Sequence, residues 1–171
     1  REWGMEQCIR DLRISQIYEG TNGVQSQDLI GRKTIKCGGT FLAEYIQEIR
    51  DFTNNLDADL NFIKDATLDA ATEVESVTQF ILEKAAEDAD YANAAAVDYL
   101  HAVGLLSFSY MFAKIAAAAK NKEGEFYQNK LALAHYFVQR ILPELAMRVQ
   151  KVKAGAELVM NFSEDYFTNQ S

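Results

Sequence analysis

Apolar residues recur at intervals of three and four along most of this 171-residue chain, a spacing typical of helices with one buried face. No stretch alternates apolar and polar residues with a period of two, so the pattern predicts no β-sheet. From residue 41 to about residue 155 it predicts an all-α fold, an antiparallel bundle of long helices. The predicted buried positions form four runs: Phe41, Leu42, Tyr45, Ile46, Ile49 and Phe52; Leu60, Ile63, Thr67, Val74, Val77 and Ile81; Val103, Leu106, Tyr110, Ala113 and Ala117; and Tyr127, Leu131, Ala134, Val138, Ile141 and Leu145.

Short polar or glycine-containing segments divide the chain between these runs. Residues 31–40 contain Gly38-Gly39 and are predicted to be an extended linker, with Thr40 as the N-cap of the helix that follows. Turns are predicted at Asn54-Asn55, at the acidic residues 87–90 and at Lys122-Glu123-Gly124. Pro143 should kink or break the last long helix, because proline lacks the backbone N–H and its ring clashes with the preceding turn.

The first 33 residues are predicted to be a helix, a corner at 18–20 and a second helix. Ile9, Leu12, Ile14 and Ile17 lie at helical spacing, and Gly20 ends that pattern. Thr21 or Asn22 can cap the next helix, whose apolar side consists of Val24, Leu29 and Ile30. The apolar faces of these two helices are expected to pack on the bundle or on a neighbouring chain.

Glu19 lies at the predicted corner, directly before a glycine and next to a helix start. Backbone N–H groups at a helix start have no intrahelical partner, so they can hold an oxygen atom of a ligand. A carboxylate beside such donors is a candidate general base. On the residues alone, a surface glutamate before a C-cap glycine is the other interpretation.

Composition and charge reduce the range of functions that the chain could have. The chain is 49% hydrophobic and 25% charged with a single proline, which suits a folded helical protein. Its net charge of −8 argues against a nucleic-acid partner, because phosphate binding needs a basic face. Cys8 and Cys37 form no disulfide framework and have no metal-ligand spacing, which favours a reducing compartment and predicts a cytoplasmic location.

Three other signals are weak. Residues 100–119 are apolar enough to suggest a membrane span, but polar residues interrupt them and the helical seam predicts a buried bundle helix instead. The calcium-loop-like start at Asp57 and Asp59 lacks the glycine and terminal glutamate that such a loop requires. Neither His101 nor His135 has a glutamate three residues earlier, so a di-iron site is not predicted and both are interpreted as packing residues.

The segment Arg10-Asp11-Leu12-Arg13-Ile14-Ser15-Gln16-Ile17-Tyr18-Glu19-Gly20-Thr21-Asn22-Gly23-Val24-Gln25 resembles the catalytic segment of the flavin-dependent acyl-CoA dehydrogenases. The signature of that family is an Arg-Asp pair, then Ile-Tyr-Glu-Gly-Thr-Asn, then Ile-Gln. The match is long and ungapped. Gly23 departs from the commoner Glu or Gln, so a side-chain contact made there by relatives is absent.

The resemblance implies roles for four residues. Glu19 corresponds to the base that removes the α-proton of the acyl thioester, while hydride passes from the β-carbon to FAD. The backbone N–H of Glu19, with a flavin hydroxyl, would bind the thioester oxygen, and Gly20 would let the backbone approach the substrate. Thr21 matches a flavin-contacting position, and Tyr18 matches a residue that flanks the acyl pocket or simply packs.

The rest of the chain resembles, more diffusely, the C-terminal extension of one acyl-CoA dehydrogenase subgroup. The anchors are Asp28-Leu29-Ile30-Gly31-Arg32-Lys33, the segment 123–132 and Ile141-Leu142-Pro143. This implies two domains: residues 1–37 would end the helical catalytic domain, and residues 38–171 would form the extension. Because the chain starts at Arg1 inside the family pattern, we expect a C-terminal fragment that is inactive and binds no flavin by itself.

The whole enzyme is expected to take an acyl-CoA substrate, to pass electrons to electron-transfer flavoprotein or another acceptor, and to form a homo-oligomer. The alternative is a helical oligomerisation or interaction module without catalysis. An intact Glu19-Gly20-Thr21 favours the enzyme.

Overall fold

A computed structural model describes residues 4–14, 21–163 and 165–168, and within these ranges every regular element is helical. The helices are α1 (Glu6–Arg13), α2 (Asn22–Gln27), a π-helical segment (Asp28–Ile35), α3 (Thr40–Asn54), a 3₁₀ turn (Ala58–Leu60), α4 (Asn61–Glu87), α5 (Ala89–Ala119), α6 (Glu125–Tyr136), a π-helical turn (Phe137–Ile141), α7 (Glu144–Lys153), α8 (Glu157–Met160) and α9 (Asp165–Thr168). The prediction of an all-α bundle of long helices is confirmed.

The two longest helices, α4 and α5, form the centre of the bundle, and the acidic turn between them makes them antiparallel. Asp88 caps α5 by accepting a hydrogen bond from the N–H of Asp90 at 2.9 Å. The main apolar core lies between α3, α4, α5 and α7, and a smaller cluster joins α4, α5 and α6. Among the fully buried side chains are Ile46, Ile49, Ile63, Val74, Val77, Ile81, Tyr99 and Leu106. Seven of these eight belong to the four runs predicted from helical spacing, and the eighth, Tyr99, lies one helical turn before the third run.

The prediction that residues 31–40 are extended is wrong. Residues Asp28–Ile35 continue α2 as a π-helical segment, and the Thr34 hydroxyl donates to the Leu29 carbonyl at 2.9 Å. Ile30 and Thr34 are 1% and 0% exposed, so burial against the bundle holds this segment helical although its composition is typical of a linker. The chain turns at residues 36–39, where Gly38 and Gly39 have φ angles of +62° and +77° that favour glycine. The predicted cap at Thr40 is wrong: Gly39 is the N-cap of α3, and Thr40 is its first residue.

Pro143 acts as predicted. The π-helical turn Phe137–Ile141 precedes it, and α7 starts directly after it at Glu144. An interior proline removes one backbone hydrogen bond, and a π turn is a common way for a helix to accommodate the resulting bend. The bend lets Phe137 and Leu145 both face the core, where they are 4% exposed.

Two predictions about buried faces need correction. Phe41 and Val24 were placed on apolar faces, but each is 61% exposed, because each lies near the start of its helix and outside the contact with the bundle. In α1, Ile9, Leu12 and Ile14 are 63%, 70% and 57% exposed and no residue is buried. The expected packing of this first helix on the bundle is therefore wrong, whereas α2 does pack, on α5. Packing of α1 on a neighbouring chain stays a prediction.

Helix α5 is the one helix of the described residues that is long and apolar enough to cross a membrane by length and composition. Inside the structure, 44% of its apolar stretch is buried. Tyr99, Ala102 and Leu106, each 0% exposed, lie on the side that contacts the neighbouring helices. Its apolar character is therefore that of a core helix on this side.

Candidate functional site

The site predicted from sequence lies at the start of α2, and Thr21 is its described residue. Tyr18, Glu19 and Gly20 lie outside the described residues. Thr21 is the N-cap, with φ −80° and ψ 153°, and its Oγ1 accepts a hydrogen bond from the Val24 N–H at 3.4 Å. Of the two caps that the sequence allowed, the structure has Thr21.

The position of the Thr21 cap determines which backbone N–H groups can donate hydrogen bonds to a ligand. The carbonyl of Thr21 accepts hydrogen bonds from the N–H groups of Val24 and Gln25, at 3.0 and 3.3 Å. Asn22 and Gly23 are the first two residues of α2, and N–H groups at these positions have no acceptor within their own helix. Thr21, Asn22 and Gly23 are all exposed, so a ligand oxygen can reach these donors. The start of α2 is thus an accessible group of donors directly after the predicted base.

Helix α2 is held against the bundle by a small side chain that sequence analysis did not single out. Ser26 is 1% exposed, and its hydroxyl donates to the Gly23 carbonyl at 2.8 Å. A serine whose polar atom is satisfied inside its own helix can face a neighbouring helix closely. The signal available in the sequence was one small residue between Val24 and Ile30, too weak to indicate a contact surface.

A buried hydroxyl cluster, consisting of Thr34, Thr78 and Tyr99, anchors the π-helical segment to α4 and α5. The Tyr99 hydroxyl lies 3.3 Å from the Thr34 Oγ1 and 3.0 Å from the Thr78 Oγ1. Burial raises the pKa of Tyr99, so the phenol stays protonated and available as a donor. Because Thr34 follows α2 without a break, this cluster helps to set the position of the α2 start relative to the bundle.

The charges next to α2 pair among themselves. The Asp28 carboxylate bonds to Arg32 and also lies 3.1 Å from the Lys33 ammonium. The hydrogen bond from Arg32, with that from Lys33, lowers the pKa of Asp28. Within the described residues, the Asp28 carboxylate thus pairs with both cations. The motif Asp28-Leu29-Ile30-Gly31-Arg32-Lys33 therefore has a structural role in the π-helical segment.

The other sequence signals resolve into structural roles. Asp57 and Asp59 both bond to Lys120, the second at 3.2 Å, which ties the start of α4 to the end of α5. His135 is exposed but stacks on Phe62 with ring centroids 3.5 Å apart, as predicted for a packing residue. His101 is also exposed, and a packing role for it stays a prediction. Over the described ranges, no group of three or more His, Cys, Asp or Glu side chains could hold a metal ion.

Comparison with known proteins identifies relatives over nearly the whole chain. The profile of the family described as "Acetyl-CoA dehydrogenase C-terminal like" matches residues 45–163. A 3-methylmercaptopropionyl-CoA dehydrogenase of Ruegeria pomeroyi is 30% identical over 95% of this chain and 29% of its own length. The broad-specificity linear acyl-CoA dehydrogenase FadE5 of Mycobacterium tuberculosis is 25% identical over 98% of this chain and 30% of its own length. A butyryl-CoA dehydrogenase of Syntrophomonas wolfei is 24% identical over 97% and 29%. The chain thus spans less than a third of the length of these relatives.

Proposed function

Because the chain belongs to the family described as "Acetyl-CoA dehydrogenase C-terminal like", we propose that it is the C-terminal part of a flavin-dependent acyl-CoA dehydrogenase. The whole enzyme would be an oxidoreductase that converts an acyl-CoA into its 2,3-enoyl-CoA. The observation that carries this proposal is the ungapped segment 10–25, which contains Tyr18-Glu19-Gly20-Thr21. The matches to the relatives extend over 95% and 98% of this chain, which leaves few residues unmatched.

In this proposal Glu19 is the general base. The α-proton of a thioester is weakly acidic, so its removal needs a carboxylate held close to it and shielded from water. Covering Glu19 with an apolar acyl chain would raise its pKa and make the carboxylate a stronger base. The proton that leaves the α-carbon would be held on the Glu19 carboxyl group.

Negative charge develops on the thioester oxygen as the proton leaves, and fixed donors lower the energy of that state. We propose that the backbone N–H of Glu19 is such a donor and that Gly20 allows the close approach of the backbone. The cap at Thr21 supports this assignment, because it places the start of a helix, with its positive dipole end, two residues after the base. Tyr18 would flank the acyl chain.

The described residues are compatible with FAD at this site. The cofactor carries hydroxyl, carbonyl and phosphate oxygens that accept hydrogen bonds, and the exposed α2 start offers the Thr21 hydroxyl and the backbone N–H groups of Asn22 and Gly23. When bound, the flavin would supply the oxidising chemistry by accepting hydride from the β-carbon. Thr21 is one contact among the many that a dinucleotide needs, so we propose that this chain alone binds no FAD and is inactive.

The remaining assignments follow from the proposed reaction. The substrate would be an acyl-CoA, the electron acceptor would be electron-transfer flavoprotein or another redox partner, and the enzyme would be a cytoplasmic homo-oligomer. The division into a catalytic segment, residues 1–37, and an extension, residues 38–171, also stays a prediction. A non-catalytic interaction module is the second candidate, and the exposed apolar side of α5 favours it.

The test uses the full-length protein that contains this chain. Glu19→Gln keeps the shape of the side chain but removes the basic carboxylate. We expect the rate constant of flavin reduction on mixing with acyl-CoA to fall by about 10²- to 10⁴-fold, the range that general-base catalysis supplies. Binding of acyl-CoA should change little, because the backbone donors survive. Stopped-flow flavin absorbance under anaerobic conditions separates this step from reoxidation.

Glu44→Gln is the matched control, since Glu44 is an exposed glutamate on α3 and should leave the rate unchanged. Near-normal flavin reduction in Glu19→Gln would place the base elsewhere. Equal loss of binding and rate would mean that Glu19 mainly holds the loop. A full-length protein with no flavin reduction on mixing with any acyl-CoA would favour the interaction module.

A further inference from the structure

The π-helical segment Asp28–Ile35 continues α2 without a break, so it connects the start of α2 to the bundle. Residues 21–24 are exposed, and Ser26 is the residue of α2 that is buried. The direction of the α2 start therefore depends on how the segment behind it is held. Glu19 precedes Thr21 by two residues in the sequence, so the contacts that fix this start also bear on the proposed base.

Hydrogen bonds in this segment connect residues five apart, whereas those of an α-helix connect residues four apart. The Lys36 N–H donates to the Gly31 carbonyl at 3.0 Å. The Thr34 hydroxyl donates to the Leu29 carbonyl at 2.9 Å, across the same interval. Turns in this π register are rare in proteins and occur frequently at functional sites.

The π register aligns the buried positions of the continuous helix on one side. Ser26, Ile30 and Thr34 are 1%, 1% and 0% exposed and follow one another at intervals of four residues. In an α-helix each such interval exceeds a full turn by about 40°, so the third position would lie about 80° from the first. A π-helical turn holds more residues than an α-helical turn, which offsets this drift. The register thus keeps all three side chains against the bundle.

Thr34 is the residue whose side chain connects this register to the bundle. Its Oγ1 donates to the Leu29 carbonyl and lies 3.3 Å from the Tyr99 hydroxyl of α5. Tyr99 is itself held, because its hydroxyl also lies 3.0 Å from the Thr78 Oγ1 of α4. A threonine hydroxyl has one donor proton and can accept as well, so one side chain can make both contacts.

We propose that Thr34 is a positioning residue for the reaction, an inference that rests on the proposed function. Its hydroxyl holds Asp28–Ile35 in the π register, and this register sets the rotation of α2 about its own axis. With the bundle end of the segment fixed, a change to the α register would move the α2 start by one residue position, about 100° and about 1.5 Å. Ser26 would then leave its contact surface, and the backbone that leads to Glu19 would take another direction.

Thr34→Val in the full-length protein tests this role, because valine has the shape of threonine without the hydroxyl. We expect the rate constant of flavin reduction on mixing with acyl-CoA to fall at least about tenfold, since a misplacement of about 1 Å can cost about 10²-fold in rate. A loss of stability alone would reduce the amplitude of the flavin signal and leave its rate constant unchanged. Thr34→Ser keeps the hydroxyl and should restore the rate constant.

Thr67→Val is the matched control. Thr67 on α4 is also 0% exposed, and its hydroxyl lies 2.8 Å from the Ser109 hydroxyl of α5. The substitution removes a buried hydroxyl between the same two long helices, about 16 Å along α4 from Thr78. It should lower the resistance to urea about as much as Thr34→Val does. The rate constant of flavin reduction should stay unchanged.

NMR couplings across hydrogen bonds test the register in the 171-residue chain, independently of any activity. In the unaltered chain the Lys36 amide should couple to the Gly31 carbonyl. In Thr34→Val this coupling should be lost or replaced by one to Arg32, which is the α-helical acceptor. Thr34→Ser and Thr67→Val should retain the coupling to Gly31.

An unchanged register or an unchanged rate constant in Thr34→Val overturns the proposal, as does an equal loss of rate in Thr67→Val. Tyr99→Phe removes the other contact of the Thr34 hydroxyl and should weaken the coupling and the rate in the same direction. If Thr34→Val does not fold, no change in Tyr99→Phe overturns the proposal. Normal kinetics in Thr34→Val beside slow kinetics in Glu19→Gln would refute this inference alone. An unaltered full-length protein that reduces no flavin with any acyl-CoA would refute the proposed function and this role with it.

Discussion

Helices α1 and α4 both carry apolar residues at helical spacing, but their surroundings are opposite. In α4, eight residues are buried, and Ile63, Val74, Val77 and Ile81 are each 0% exposed. In α1 the residues at equivalent spacing, Ile9 and Leu12, are 63% and 70% exposed. Helical periodicity in a sequence therefore predicts a helix and which of its sides is apolar. It does not predict which other part of the protein covers that side.

The helical bundle and the N-terminal segment also differ in their proposed roles: the bundle is the scaffold, and the segment carries the proposed catalytic residues. The bundle, residues 40–153, contains the core, and it lies almost wholly within residues 45–163, which the family profile matches. The segment 10–25 carries the proposed catalytic residues, and none of its described residues, 10–14 and 21–25, is buried. A catalytic segment on the outside of a rigid scaffold is a common arrangement, because reacting groups need access to the substrate.

The largest expected effect tests this division directly. Ile81→Ala should lower the free energy of unfolding by about 2–5 kcal/mol, since it removes a fully buried side chain and leaves a cavity. Leu12→Ala should change it by less than about 0.5 kcal/mol in the free chain, because Leu12 is 70% exposed. Urea unfolding followed by circular dichroism measures both. Equal costs for the two variants would mean that α1 is covered in solution and that the comparison is wrong.

Most of the bundle could be predicted from the sequence, because its seams keep helical spacing over several turns. The kink at Pro143 and the cap at Thr21 were predictable for the same reason: proline geometry and side-chain capping act within a few residues. The π-helical segment Asp28–Ile35 could not be predicted. Its local composition favours a linker, and only contacts with residues far along the chain, such as Tyr99, hold it helical.

The candidate site was predictable only in part. The positions of Glu19, Gly20 and Tyr18 follow from a resemblance, and no local physical pattern distinguishes Glu19 from an ordinary surface glutamate. The anchoring of α2 through Ser26 and through the hydroxyl cluster depends on long-range packing, which one sequence without an alignment does not reveal. The sequence also could not predict that one apolar side of α5 is exposed. An exposed apolar row has the same helical spacing as a buried one, so the pattern alone does not distinguish them.

A smaller effect is expected at the hydroxyl cluster that joins the two regions. Tyr99→Phe removes the phenol oxygen, but Thr34 and Thr78 keep their bonds to the carbonyls of Leu29 and Val74. With no polar group left unpaired, the free energy of unfolding should fall by about 0.5–1.5 kcal/mol. Amide exchange in the π-helical segment should become faster than in α4, because the segment loses its anchor.

The same residue predicts a dependence on alkaline pH. Burial raises the pKa of Tyr99 above its ordinary value of 10.0, so the folded state holds this proton more tightly than the unfolded state. The contribution of the protonated Tyr99 to the free energy of unfolding is therefore fully present below pH 10. It is lost as the pH rises through the pKa of Tyr99 in the folded protein. Tyr91, whose pKa is also raised by burial, adds to the loss. Unfolding curves from pH 8 upward should show a weaker decline for Tyr99→Phe, and an unchanged decline would contradict the role of this phenol.

The smallest expected effect concerns the start of α2. Thr21→Ala removes the cap, and because the Oγ1 to Val24 N distance of 3.4 Å is long, the cost should be near about 0.5 kcal/mol. Amides in the first turn of α2 should exchange faster, while those of the bundle core stay unchanged. Thr21→Ser retains the hydroxyl and is the control. A loss of protection throughout the bundle would show that the two regions are coupled more tightly than the packing indicates.

The central claim is that Glu19 removes the α-proton of an acyl-CoA, and isotope exchange in the full-length protein tests it most directly. A 3-thia acyl-CoA has sulfur in place of the β-carbon, so hydride loss is blocked and only proton removal at the α-carbon can occur. In D₂O the unaltered protein should incorporate deuterium at this carbon, as followed by mass spectrometry. Glu19→Gln should slow the incorporation by about 10²-fold or more. Equal incorporation in the two proteins would contradict the account.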